Sequence, residues 1–308
     1  LIRTPRRTVL RRAPVWALAV LALLAAAAAA AQGGPGLLAA PEPVARHVVV
    51  LSLDGARADA VRSAVPASLA ARGAVSWTAQ TITPSLTLPA HTSMLSGVLP
   101  AVHGVMFNDW REGQPYFRRG TVLSEVTRGG SRAVAVVHKP KLLMLAPPGS
   151  AAIARYLPYP RFRQAEVVET AARLFVEQRP ALLFIHVADP DDAGHTRGWM
   201  SAEYVRAIAA APALIERVLR AFDEAGVFAQ ALLIVTADHG GHDRTHGTLR
   251  PEDMTIPWLA FGGAARQGVT LARRVVVHDT AATALAALGL PLPGDWQGRS
   301  VGEALRAP

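Results

Sequence analysis

The chain contains no cysteine among its 308 residues, which excludes disulfides, thiolate metal sites and cysteine nucleophiles at once. Any metal ion must be held by His, Asp, Glu or a hydroxyl. A Gly-x-x-x-x-Gly-Lys phosphate loop is missing, so the signature of a P-loop nucleotide hydrolase is absent. No internal repeat is visible. What the chain does have is an apolar content of 51%, enough for one large α/β domain with a well-buried core.

Residues 1–32 differ sharply from the rest. Arg3, Arg6, Arg7, Arg11 and Arg12 precede an apolar run from Ala13 to Ala31 that ends in small residues, the layout of a cleaved secretory signal. The stretch from Pro5 to Arg11 also loosely resembles a twin-arginine export signal. An uncleaved anchor is the alternative, since the run approaches the ~20 residues of a membrane span. Residues 33–46 read as a linker and 47–308 as a single domain. The expected location is periplasmic or secreted, with membrane contact only if the first segment is retained. Five arginines before residue 13 carry more than half of the formal net charge of +9. The remaining arginines are scattered, so a nucleic-acid duplex is not implied, and the mild positive balance favours a small anionic substrate.

Beyond the linker, four apolar runs have strand length: His47–Leu53, Arg132–His138, Ala181–Val187 and Ala231–Thr236. Runs apolar on both faces suit the buried strands of a parallel sheet. Helix-like segments lie between and after them, over Ala56–Ala71, His91–Leu95, Gln164–Gln178, Ala202–Ala225 and Thr280–Leu288. Residues 140–160, rich in proline and positive charge, read as a surface excursion. The expected fold is a three-layer α/β/α domain around a mostly parallel sheet. Such sheets bind ligands beyond the carboxyl ends of their strands, and Asp54, Asp191 and Asp238 each follow such an end.

Around these acids lie further donors. Asp191 and His195 are four apart, so one helical turn puts both on one face. Asp238 and His239 precede Gly240 and Gly241, which permit the sharp turn needed to aim neighbours at one ion. His242 or His246 would complete a nitrogen-rich site with Asp191 and His195, for which zinc is the natural occupant. Thr87 precedes a short helix-like stretch, where its hydroxyl would stand near a helix N-terminus; it needs a base or a metal to become a nucleophile. Lys139 and Lys141 follow a strand and are candidates, with His242, to contact a substrate phosphate. Asp189, Asp192 and Asp243 are expected to orient ligand histidines.

Four ordered motifs carry a family resemblance: Leu53-Asp-Gly-Ala-Arg57, Thr87-Leu-Pro-Ala-His91 with Ser96 to Gly104, Pro190-Asp-Asp-Ala-Gly-His195, and Thr236-Ala-Asp-His-Gly240 with His246-Gly247. Together they resemble the alkaline phosphatase superfamily, most closely its type I phosphodiesterase and nucleotide pyrophosphatase branch. The resemblance implies two zinc ions, one held by Asp191, His195 and His246, the other by Asp54, Asp238, His239 and Thr87. It makes Thr87 the nucleophile of an in-line displacement that passes through a phospho-threonine, and Asn108 a hydrogen-bond donor to the phosphoryl group. The implied substrates are phosphodiesters or nucleotide pyrophosphates, with phosphomonoesters, phosphonates and phosphoryl transfer as alternatives within the superfamily. No aromatic-rich insertion follows Asn108 to form a slot for a nucleotide base. A sulfatase is disfavoured, because Thr87-Leu-Pro-Ala-His91 lacks the Cys or Ser and the Arg of that signature. A non-catalytic exported metal-binding module is the alternative of another class.

Overall fold

The structure, a computed structural model, describes residues 42–307. The expected export signal and most of the expected linker lie outside the described residues. Eight strands form one sheet: β1 (His47–Leu53), β2 (Ala74–Gln80), β3 (Ala133–Val137), β4 (Ile153–Tyr156), β5 (Leu182–Val187), β6 (Ala231–Thr236), β7 (Thr255–Phe261) and β8 (Val269–Thr270), in the order β4-β3-β5-β1-β6-β7-β2-β8. The five strands from β4 to β6 are parallel, while β7 runs antiparallel to both β6 and β2. The central strands are β-branched and leucine-rich and are buried along their length, as expected where helices cover both faces.

Among the described residues, the helices of seven residues or more are α1 (Ala58–Ala64), α2 (Thr87–Ser96), α3 (Val122–Arg128), α4 (Gln164–Gln178), α5 (Asp189–Arg197), α6 (Ala202–Ala209), α7 (Ala211–Glu224) and α8 (Asp279–Ala287). In α7, Leu214, Ile215, Val218, Leu219 and Phe222 fall on one buried stripe, and that stripe packs against α4 and β6, the pattern of an amphipathic helix on a core. The helix α8 packs on α2 and α3. Acidic residues fill the first turn of α5, with His195 and Arg197 in its last turn, which matches the helix dipole at both ends.

Several elements differ from expectation. The helix expected over Ala56–Ala71 is broken at Pro66, and the one over Ala202–Ala225 at Ala210, where Pro212 opens α7; proline suits a first turn and breaks an interior. The segment 140–160 is not an excursion. Leu142, Met144 and Leu145 are buried in a 3-10 turn, and β4 adds an edge strand beside β3. Strands β2 and β7 carry no clean apolar run. Pro257 interrupts β7, and the missing N–H is accommodated by a register shift between Ser76 and Ala79 of β2, opposite the proline.

Register places the site. Leu53 pairs with Val187 and Ser52 with Thr236, so the chain leaves β1, β5 and β6 at one level of the same edge.

Candidate metal centre

Asp54 follows β1, Asp191 lies in the first turn of α5, and Asp238-His239 follows β6. The turn after β1 is tight. Gly55 has φ +70°, and a Cβ there would stand 2.9 Å from the Asp191 Cα, so only glycine lets this turn approach α5. Trp199 Nε1 and Tyr204 Oη both donate to the Gly55 carbonyl, at 2.9 and 3.0 Å. The Gly55 N–H donates to Asp238 Oδ1 at 3.1 Å.

Three histidines are oriented alike. The Nδ1–H donates to a main-chain carbonyl in each: His239 to Gly240 at 2.8 Å, His246 to Ser85 at 2.8 Å and His195 to Arg244 at 3.1 Å. Each Nε2 therefore presents a lone pair. His246 Nε2 lies 3.1 Å from His195 Nε2 and 3.7 Å from Asp191 Oδ1, and His195 Nε2 lies 3.5 Å from the same oxygen. His239 Nε2 lies 3.2 Å from Asp238 Oδ2 and 3.6 Å from Asp54 Oδ1. Its ring also stacks on His246 with centroids 3.7 Å apart. The ligand atoms of Asp54, Asp238 and His239 all lie within 4.8 Å of one another, as do those of Asp191, His239 and His246.

The donor set fits divalent cations. Asp54 Oδ1, Asp191 Oδ1 and Asp238 Oδ2 are buried and have no hydrogen-bond donor. A buried acceptor left without a donor loses its hydration with no return, and a carboxylate and imidazole pocket without protons to offer is what zinc and its neighbours in the series require. Burial works to raise the Asp54 carboxyl, yet the Lys139 ammonium and the His186 donor hold it well below the usual carboxylate range. Burial pushes the imidazoles of His186 and His246 down to about 4, which keeps both neutral at physiological pH.

Thr87 is the first residue of α2, not a residue ahead of it, and its Oγ1 lies 3.5 Å from His239 Nε2. Asn108 Oδ1 accepts from the Leu88 N–H at 2.9 Å and from Lys141 Nζ at 3.0 Å, which leaves the amide N–H groups of Asn108 for another partner. Lys139 contacts Asp54 and Asp191 directly. His242 belongs to neither ligand group; its Nδ1 binds Asp253 Oδ1 at 2.7 Å, and so it anchors the loop. Arg57 pairs with Asp59. The three acids expected to orient histidines do otherwise: Asp189 binds Arg163 and the Gln164 N–H, Asp192 accepts from Tyr159, and Asp243 faces solvent beside Arg250. Main-chain carbonyls take that part instead.

Sequence reasoning missed two histidines. His186 accepts the His138 N–H at Nδ1 and donates from Nε2 to Asp54 Oδ2 at 2.8 Å. His91 donates from Nδ1 to the Thr87 carbonyl and accepts from Ser52 Oγ at Nε2, each at 2.8 Å. A histidine inside the buried apolar strand β5 was the available signal for the first.

Residues 48–255 match the family described as type I phosphodiesterase / nucleotide pyrophosphatase. The chain belongs to this family of phosphoric ester hydrolases. Among curated relatives, the 2,3-bisphosphoglycerate-independent phosphoglycerate mutase of Ruegeria pomeroyi is 35% identical over 167 residues, half of this chain and 30% of the mutase. That of Thermomicrobium roseum is 30% identical over 152 residues, 46% of this chain and 28% of the mutase. The chain thus aligns with under a third of those relatives' length. Among solved structures, murine ectonucleotide pyrophosphatase/phosphodiesterase 5, an inactive threonine-to-alanine variant in complex with AMP, superposes with a TM-score of 0.70 at 17% identity, over 85% of this chain and all of that one. A 2-O GAG sulfatase superposes at 0.64 and 13% identity, over 85% of this chain and 74% of that one. These likenesses show the alkaline phosphatase-like fold.

Proposed function

We propose that the chain is an exported hydrolase that cleaves phosphodiester or nucleotide pyrophosphate bonds with two divalent ions, zinc by preference, through a covalent phospho-threonine at Thr87. One observation carries the reading: three buried carboxylate oxygens without donors converge with three imidazole lone pairs beside the Thr87 hydroxyl. Asp191, His195 and His246 would hold one ion, and Asp54, Asp238, His239 and Thr87 the other. Bound there, the pair supplies Lewis-acid stabilisation of the attacking and leaving oxygens.

The protein's own residues set the geometry. Thr87 at the first position of the ten-residue helix α2 places its hydroxyl where the positive end of the helix dipole meets an anion. Its oxygen forms the bond to phosphorus as the bond to the leaving oxygen breaks and that oxygen takes a proton. Water then cleaves the phospho-threonine and restores the hydroxyl. The amide N–H groups of Asn108 are free to donate to a phosphoryl oxygen, because its carbonyl is held by Leu88 and Lys141. The AMP complex of the inactive threonine variant of murine phosphodiesterase 5 supports the choice of nucleophile and substrate class. Export rests on the sequence of residues 1–32 alone.

The mutases among the relatives favour a second reading, transfer of the phosphoryl group to a hydroxyl acceptor in place of water. The test is a paired assay of bis-p-nitrophenyl phosphate and p-nitrophenyl phosphate, with added zinc and with chelator. Faster, chelator-sensitive release from the diester is expected. Preference for the monoester would move the activity to the phosphatases, and no release from zinc-loaded protein would end the hydrolase reading.

A further inference from the structure

Lys139 and Lys141 are the only lysines of the sequence, among 32 Lys and Arg residues in all. Both lie at the metal centre. Everywhere else this chain uses arginine for positive charge, so a compact ammonium at these two positions is a choice of chemistry, because a guanidinium fork occupies and orients space differently.

Lys139 Nζ lies 2.7 Å from Asp54 Oδ2 and 2.5 Å from Asp191 Oδ2. These carboxylates belong to different ligand groups. In each, the oxygen that Lys139 takes is the outer one, while Asp54 Oδ1 and Asp191 Oδ1 have no donor and face the histidine lone pairs. His186 Nε2 secures Asp54 Oδ2 from a second side at 2.8 Å. The backbone is set as well: Lys139 is extended, with φ −120° and ψ 127°, and Pro140 follows it, which holds the residue before it out of the helical region. The stem therefore projects from the end of β3 between β1 and α5 with little freedom.

We infer that Lys139 is a tether between the two metal positions: one ammonium grips the outer oxygen of one carboxylate from each group and so fixes how far apart the inner oxygens hold their ions. The inference rests on the two-metal reading. It makes Lys139 a positioning residue, not a contact to substrate. A role in charge alone leads to the opposite expectation, since removing a cation beside two carboxylates strengthens their attraction for metal ions.

The experiment loads the full chain with Mn2+ and reads uptake together with the electron paramagnetic resonance spectrum, which distinguishes a coupled pair of ions from two separate ones. Wild type is expected to take up two ions and give the coupled spectrum. Lys139→Met is expected to lose the coupled spectrum and to bind its second ion at least about tenfold more weakly, a change of ~1.4 kcal/mol. Because the chain has no cysteine, Lys139→Cys can be alkylated at that one position with bromoethylamine, which rebuilds a lysine-like ammonium. Restoration of the coupled spectrum by this step supports the tether even if Lys139→Met does not fold. A wild-type spectrum and affinity in Lys139→Met, or no restoration in alkylated Lys139→Cys, would overturn it. A wild-type chain that takes up one ion or none would overturn the two-metal reading and the tether with it.

Discussion

His195 and His246 turn their Nε2 atoms towards each other at 3.1 Å, although each has already committed its Nδ1 proton to a main-chain carbonyl. Two lone pairs at that distance repel unless a cation or a proton lies between them. Burial pushes His246 down to about 4, so at neutral pH the proton is the poorer solution. Adding zinc to chelated protein should raise the melting temperature. At a hundredfold excess over the dissociation constant, linkage gives about 2.7 kcal/mol, or roughly 5–10 °C for a domain of this size. His246→Ala should remove at least half of the rise, and a melting curve indifferent to zinc in wild type would contradict metal binding.

Thr87 separates metal binding from chemistry. Thr87→Ala should lower hydrolysis by about a thousandfold or more, while zinc uptake, measured by elemental analysis, stays near wild type, because the other six residues proposed to hold the ions remain. Comparable turnover in the variant would show that water attacks directly and that no covalent threonine intermediate forms.

What the sequence made legible follows from the physics of each feature. β1, β5 and β6 are continuous apolar runs, and Asp54, Asp191 and Asp238 follow their carboxyl ends, so the site's edge is readable in the sequence alone. β7 was not, because Pro257 breaks the run and its cost is met by an irregularity in another strand, β2. The spacing of Asp191 and His195 announced a shared face. The partners that orient the histidines were invisible, because they are main-chain carbonyls of Gly240, Ser85 and Arg244, and a carbonyl has no residue type. Lys139 read as a candidate contact to a substrate phosphate, and only the approach of Asp54 to Asp191 around Gly55 gives it two carboxylate partners.

That approach yields a third test. Gly55→Ala must place a side chain at φ +70° and within 2.9 Å of the Asp191 Cα, a cost of about 1–3 kcal/mol from backbone strain alone. The turn carries Asp54, so the variant should lose metal affinity along with stability. Urea unfolding with and without zinc measures both. A loss of stability with unchanged zinc linkage would mean that Asp54 tolerates the shift.

The pH dependence has a definite sign. In the folded chain His186 and His246 sit at about 4, against 6.5 for the free side chain. Between those values the unfolded chain binds more protons, so stability is complete above 6.5 and falls as pH drops towards 4. The loss at the acid end is on the order of 3 kcal/mol per group. Urea midpoints of chelated protein at pH 7.5, 5.5 and 4.5 should decline in that order. Because metal binding needs neutral imidazoles, zinc uptake should decline over the same range.

Lys141 bears on substrate choice. Its ammonium lies 3.0 Å from Asn108 Oδ1, the oxygen that also receives the Leu88 N–H next to Thr87, so a positive charge stands beside the amide assigned to the phosphoryl group. Burial and the nearby Lys139 ammonium lower its pKa from 10.5. A dianionic monoester gains more from such a charge than a monoanionic diester does. Lys141→Met should therefore lower kcat/KM for p-nitrophenyl phosphate about tenfold, equivalent to ~1.4 kcal/mol of transition-state stabilisation. For bis-p-nitrophenyl phosphate the same change should be less than about threefold, or ~0.7 kcal/mol. Equal losses on both substrates would reduce Lys141 to a prop that holds Asn108 in place, whereas a loss confined to the monoester would identify it as the residue that admits the more highly charged ester to a phosphodiesterase site.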